Sequence, residues 1–124
     1  MSRARAATAA TLCLRVTYGA GLIAAPERLA HRWLGAPAGS ASTQVPLRGL
    51  GAREVVLHLG GLTAALTGAP LRPWLAGSIA GDLTDVAATL AGRDQLPEGS
   101  ALATALLAGG SALLSAVLAI SVER

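Results

Sequence analysis

Apolar residues in this chain gather into four long stretches, at residues 8–25, 47–67, 73–91 and 99–121. Each is near the roughly 20 residues that an α-helix needs to cross about 30 Å of hydrocarbon. Proline marks their limits: Pro26 follows the first, Pro46 precedes and Pro70 follows the second, Pro73 opens the third and Pro97 precedes the fourth. The pattern predicts an all-α protein, a four-transmembrane-helix bundle forming one membrane domain over residues 1–124. The single long connection begins with a segment, residues 27–35, that has Leu29, Trp33 and Leu34 at helical spacing. It predicts a short helix lying along the membrane interface with Trp33 as its anchor. Residues 36–43, rich in Pro, Gly and Ser, read as a turn region.

The polar positions inside these stretches are not scattered. At about 100° per residue, Thr8, Thr11, Arg15, Tyr18 and Gly19 share one face of the first. Gly51, Glu54, His58, Gly61 and Ala65 share a face of the second, with Arg53 on its flank. Ser78, Gly81, Asp82, Asp85 and Thr89 form a stripe on the third, and Ser100, Thr104, Ser111 and Ser115 on the fourth. A polar stripe on an otherwise apolar helix is the reverse of a soluble amphipathic helix, and it predicts polar groups inside the bundle and lipid outside. Gly77 and Gly81, four apart, fit close helix contact.

Composition agrees. Hydrophobic residues make up 52% and charged residues 14%, against about 25% charged in a typical soluble domain. Mean hydropathy is +0.54. The apolar side chains are mostly Ala, Leu, Val and Gly, with no Phe; small residues suit helices packed closely in lipid. The formal charge of +3 comes from dispersed arginines with no lysine, so no nucleic-acid footprint is expected. Cys13 is the single cysteine, which excludes an internal disulfide and a Cys-rich zinc site. Met1-Ser-Arg-Ala-Arg5 ahead of an apolar run resembles the start of a signal peptide, but Arg15 interrupts the run, so a retained span is expected. Four spans place both termini on one side. The arginine count, Arg3, Arg5, Arg72 and Arg124 against Arg28, Arg32 and Arg93 with Arg48 at the edge, slightly favours a cytoplasmic N-terminus in the plasma (inner) membrane.

A charge at mid-bilayer costs at least about 2.5–3.5 kcal/mol on insertion scales. Arg15, Arg53, Glu54, His58, Asp82 and Asp85 must therefore compensate one another. Structural ion pairing is one reading of the set. Glu54 and His58, four apart, can pair on one helix. Asp82 and Asp85, three apart, put two carboxylates on one face, where one could act as an acid while the other stays ionised; Glu54 is a third candidate acid/base group. Arg15, Tyr18, Arg48, Arg53 and His58 are candidates for ligand binding or charge pairing. A carboxylate-bridged metal site would need histidine three residues after Glu54, and that residue is Leu57. No metal or cofactor site is expected.

These same residues carry a resemblance. The stretches Arg15-Val-Thr-Tyr-Gly19, Trp33-Leu-Gly35, Leu47-Arg-Gly-Leu-Gly-Ala-Arg-Glu54 and Gly81-Asp-Leu-Thr-Asp85 make the chain similar to a family of small four-helix bacterial, especially actinobacterial, membrane proteins of unknown function. The family pattern has Asp more often than Glu at position 54 and Gly more often than His at position 58. The resemblance implies the four-span topology and the polar core, and no activity.

Three functions fit the pattern. The bundle could bind a small apolar ligand, a membrane lipid or a partner helix. It could be a cofactor-independent isomerase, cyclase or epoxide-opening enzyme, with Asp82 and Asp85 as acid and base. Or it could be a proton- or ion-coupled transport unit, which at this size would need to form a homo-oligomer to line a pathway.

Overall fold

The computed structural model describes residues 1–122; Arg124, counted above with the N-terminal side, lies outside them. The architecture is all-α. The five α-helices are α1 (Arg3–Ala24), α2 (Pro26–Leu34), α3 (Ala41–Thr67), α4 (Arg72–Ala91) and α5 (Ser100–Ser121), with single 3₁₀ turns at Ala36–Gly39 and Arg93–Gln95. The Ser2 hydroxyl caps α1 by accepting from the Arg5 amide at 3.1 Å. Pro26 opens α2, with Glu27 in its first turn and His31 and Arg32 in its last, charges that complement the helix dipole. Gly35 and Gly68, at φ 74° and 79°, end α2 and α3 in backbone conformations that side chains with a Cβ disfavour. α3 starts at Ala41, earlier than residue 47, and carries Pro46 inside its second turn. The expected turn region is therefore shorter, reduced to a 3₁₀ turn and a cap at Ser40.

The four long helices run up and down. α1 and α3 are antiparallel partners, in register from Arg5 beside Ala64 and Ala65 to Ile23 beside Arg48. Their closest approach is at Gly19 and Gly51: a Cβ on Gly51 would lie 2.6 Å from the Gly19 carbonyl, and one on Gly19 2.8 Å from the Gly51 carbonyl. Each end of this pair is tied by an arginine donating to the other helix's last carbonyls. Arg5 reaches Ala65 at 3.0 Å, Ala64 at 2.9 Å and also Ala69 beyond the end of α3. Arg48 reaches Ile23. These carbonyls have no partner within their own helix, which is why a cation suits them. α4 and α5 form the second tight pair. Gly77 meets Leu57, and Gly60 lies under the Trp74 ring, whereas Gly81 has open space beside it.

Polar side chains share the interior with the apolar ones, and large apolar side chains cover the outside. Thr8, His58, Ser78, Asp82, Thr89, Ser100 and Ser115 are buried, while Val56 is 72% and Leu107 77% exposed and leucines point outward from α1, α3, α4 and α5. The polar stripes expected from the sequence are the faces turned inward. α1 and α5 are long and apolar enough to cross a membrane. α3 and α4 have comparable length, but Arg53, Glu54 and His58 in one and Asp82 and Asp85 in the other lower their hydropathy. Only 22% of the α1 span and 17% of the α5 span is buried, which is unlike the core helix of a soluble protein.

Candidate functional site

Arg15 sits at the middle of α1 and its guanidinium organises the centre of the bundle. Nη1 donates to Asp82 Oδ2 at 2.9 Å and Nη2 to Asp82 Oδ1 at 2.8 Å, a two-pronged pairing that a planar guanidinium makes and an ammonium cannot. Nη2 also donates to Glu54 Oε2 at 3.1 Å, and Nη1 to the Ser111 hydroxyl. One side chain thus joins α1, α3, α4 and α5. Its Nε is buried without a partner among the described residues.

His58 lies directly behind this cluster and is 0% exposed. Its Nδ1 is 2.7 Å from the Glu54 carbonyl oxygen, which can only accept, so Nδ1 carries the proton and donates. Nδ1 is also 3.4 Å from Glu54 Oε2. Nε2, 3.0 Å from the Ser78 hydroxyl, accepts from it in the neutral ring. His58 is a bridge between α3 and α4.

Asp85, one turn beyond Asp82, is only partly buried and makes no hydrogen bond or ion pair among the described residues. The two carboxylates that looked equivalent in the sequence are therefore in different states of engagement: Asp82 has both oxygens committed, and Asp85 has none. Both face a cavity of about 530 Å³ whose lining also includes Arg15, Tyr18 and Glu54. Ligand pockets span about 300–1,000 Å³. Leu50, Ala103, Thr104, Leu107 and Ala108 give the wall an apolar character. The exposed lining residues, Tyr18, Leu29, Arg32, Ala103 and Leu107, belong to α1, α2 and α5 and mark the mouth.

α2 covers the end of this cavity. The Trp33 indole donates to Thr89 on α4 at 2.8 Å, and the Trp33 carbonyl accepts from Ser100 on α5 at 2.6 Å. Ala30, Ala38 and Leu47 pack together beneath it. At the opposite end Ala9, Leu12, Ala64, Ala65, Leu71, Leu75 and Leu118 close the bundle with apolar carbon.

Arg15, Tyr18, Glu54, Asp82 and Asp85 are thus brought together as expected, with His58 behind them. Two expectations are corrected. Arg53 is exposed and lies beside Val56, Leu57 and Trp74 on the outer surface, away from the acids; a rotation of about 100° from Glu54 takes it out of the interior. Arg48 caps the end of α1 and does not touch the cavity. Ser111 and Arg32 were missed as site residues. Ser111 was legible only as part of a hydroxyl stripe, and Arg32 only as part of the interfacial helix. No family model, no curated protein and no solved structure matches this chain.

Proposed function

We propose that the chain is a four-span membrane bundle that takes a small, largely apolar molecule from the bilayer into the cavity between α1, α2 and α5. The observation that carries this reading is the cavity itself: about 530 Å³, apolar in its wall, polar at its base around Arg15, Asp82 and Asp85. Its mouth is rimmed by side chains of helices that turn leucine outward, so a molecule dissolved in lipid meets it without crossing water. The outward leucines on all four long helices support the two further spans, α3 and α4, whose interior charges are compensated inside the protein.

Mass spectrometry of the protein purified in native lipid tests the reading. A stoichiometric small molecule should accompany the wild type and be lost in Ala108→Trp, which fills the cavity. Equal recovery from both proteins would overturn it.

A second reading, acid–base catalysis on the bound molecule, is favoured by one observation: Asp85 is an uncommitted carboxylate in a cavity where Arg15 holds its neighbour Asp82. Asp85 would then exchange the proton, while Asp82 and Glu54, engaged by Arg15, set the field around it. Turnover of the co-purified molecule, abolished in Asp85→Asn with binding retained, would separate this from binding alone. A transport pathway gains least support, because Leu12, Leu71, Leu75 and Leu118 fill the interior beyond the cluster.

A further inference from the structure

We infer that the molecule this cavity holds is a lipophilic cation, an apolar body bearing a protonated amine or a similar positive centre seated beside Asp85. The inference rests on the binding reading above and gives that ligand its charge. Three carboxylates, Glu54, Asp82 and Asp85, share the interior with one guanidinium, and Arg15 is spent on the first two. Arg32, at the mouth, is the other cation of the lining. With both arginines counted, the ionised lining still carries one negative charge in excess. His58 adds nothing positive as long as it accepts from Ser78. An isolated charge in hydrocarbon is strongly disfavoured, so the unpartnered Asp85 favours whatever brings a positive charge to it.

The remaining lining suits such a guest. Tyr18 and Trp33 supply two aromatic side chains, which attract organic cations through the negative faces of their rings. Leu50, Leu107 and Ala108 accommodate an apolar body. An anion would meet Asp85 at the base, where both Nη atoms of Arg15 are already engaged and only its buried Nε–H is left over.

Tetraphenylphosphonium and tetraphenylborate test the charge, being near-identical in shape and opposite in sign. Each is titrated by equilibrium dialysis against the full chain in phosphatidylcholine nanodiscs, with empty nanodiscs subtracted. The expected result is saturable binding of the phosphonium at least about ten-fold tighter than the borate, the scale of one charged interaction. That preference should be lost in Asp85→Asn, restored in Asp85→Glu and unchanged in Asp94→Asn, an exposed acid outside the cavity. Borate binding as tight as phosphonium binding, or an Asp85→Asn protein with its preference intact, would overturn the cation while leaving a binding cavity. No excess over empty nanodiscs for either probe would overturn the cation and count against the binding reading itself.

Discussion

Where the start of α1 meets the end of α3, the bundle interior is solid: Leu12, Leu71, Leu75 and Leu118 interlock with Ala9, Ala64 and Ala65. Where the end of α1 meets the start of α3, the same four helices enclose open space, with a fifth helix laid across it. Between them lies one polar layer, Arg15 with Glu54, Asp82, His58, Ser78 and Ser111. The polar stripe runs the length of the helices, so polarity alone does not separate the halves. Filling does. In the closed half leucines and alanines from all four helices meet in one cluster, whereas in the open half Leu50, Leu107 and Ala108 line a space they leave empty. Protein interiors rarely leave large voids unfilled, and a void placed next to an unpartnered carboxylate is better understood as a place for a ligand than as poor packing.

That contrast can be broken at several points. The largest effect is expected at the layer shared by both halves. Arg15→Leu leaves Glu54 and Asp82 uncompensated and should cost about 3–5 kcal/mol, seen as loss of the folded protein in detergent denaturation. Arg15→Lys, which keeps the charge and loses the fork, should fall between. A stable Arg15→Leu protein would mean that the cluster does not hold the helices together. Next comes the closed half: Leu75→Ala should cost about 2–5 kcal/mol in stability and leave phosphonium affinity unchanged. If it altered ligand affinity as much as stability, the two halves would not be separable. Gly51→Val drives a Cβ carbon against the Gly19 carbonyl and should cost about 1–3 kcal/mol, visible as a lower melting temperature.

The open half should respond weakly in stability and strongly in access. Trp33→Phe removes one interhelical hydrogen bond, worth about 0.6 kcal/mol in membranes on average. Amide exchange should quicken in α2 and stay unchanged around Leu75. Asp85→Asn should lower stability least of all: it breaks no hydrogen bond or ion pair and removes an unpaired interior charge, so stability should hold or rise. A large loss of stability there would show that Asp85 has a structural partner.

Much of this was legible before any coordinates. Inward polar faces follow from periodicity, and the interior set Arg15, Glu54, His58, Asp82 and Asp85 follows from those faces. The sign of each charge indicated that Arg15 would meet the acids, but not which acid would be left over. That depends on the vertical offset between α1 and α4, which is set by packing and not by local pattern. Arg53 was misplaced because a flank position on a helical wheel can turn either way, and the closeness of α1 to α3 at Gly19 and Gly51 decided it. The start of α3 was misjudged because Pro46 reads as a stop; as the sixth residue of α3 it forfeits one hydrogen bond, to the Ser42 carbonyl, and the helix runs on through it. The cavity was not legible at all, since a void is defined by what four separate helices fail to fill.

Whether lipid surrounds all four long helices is the point on which everything else depends. Spin labels placed one at a time on outward positions of each, Leu14, Val56, Leu83 and Leu106, in a Cys13→Ser background in bilayers, report it through collision with oxygen and with a water-soluble nickel chelate. All four labels should relax readily with oxygen and be shielded from nickel, while a label at Asp94 should show the reverse. Nickel access at Val56 and Leu83 equal to that at Asp94 would contradict it, leaving only α1 and α5 in the membrane.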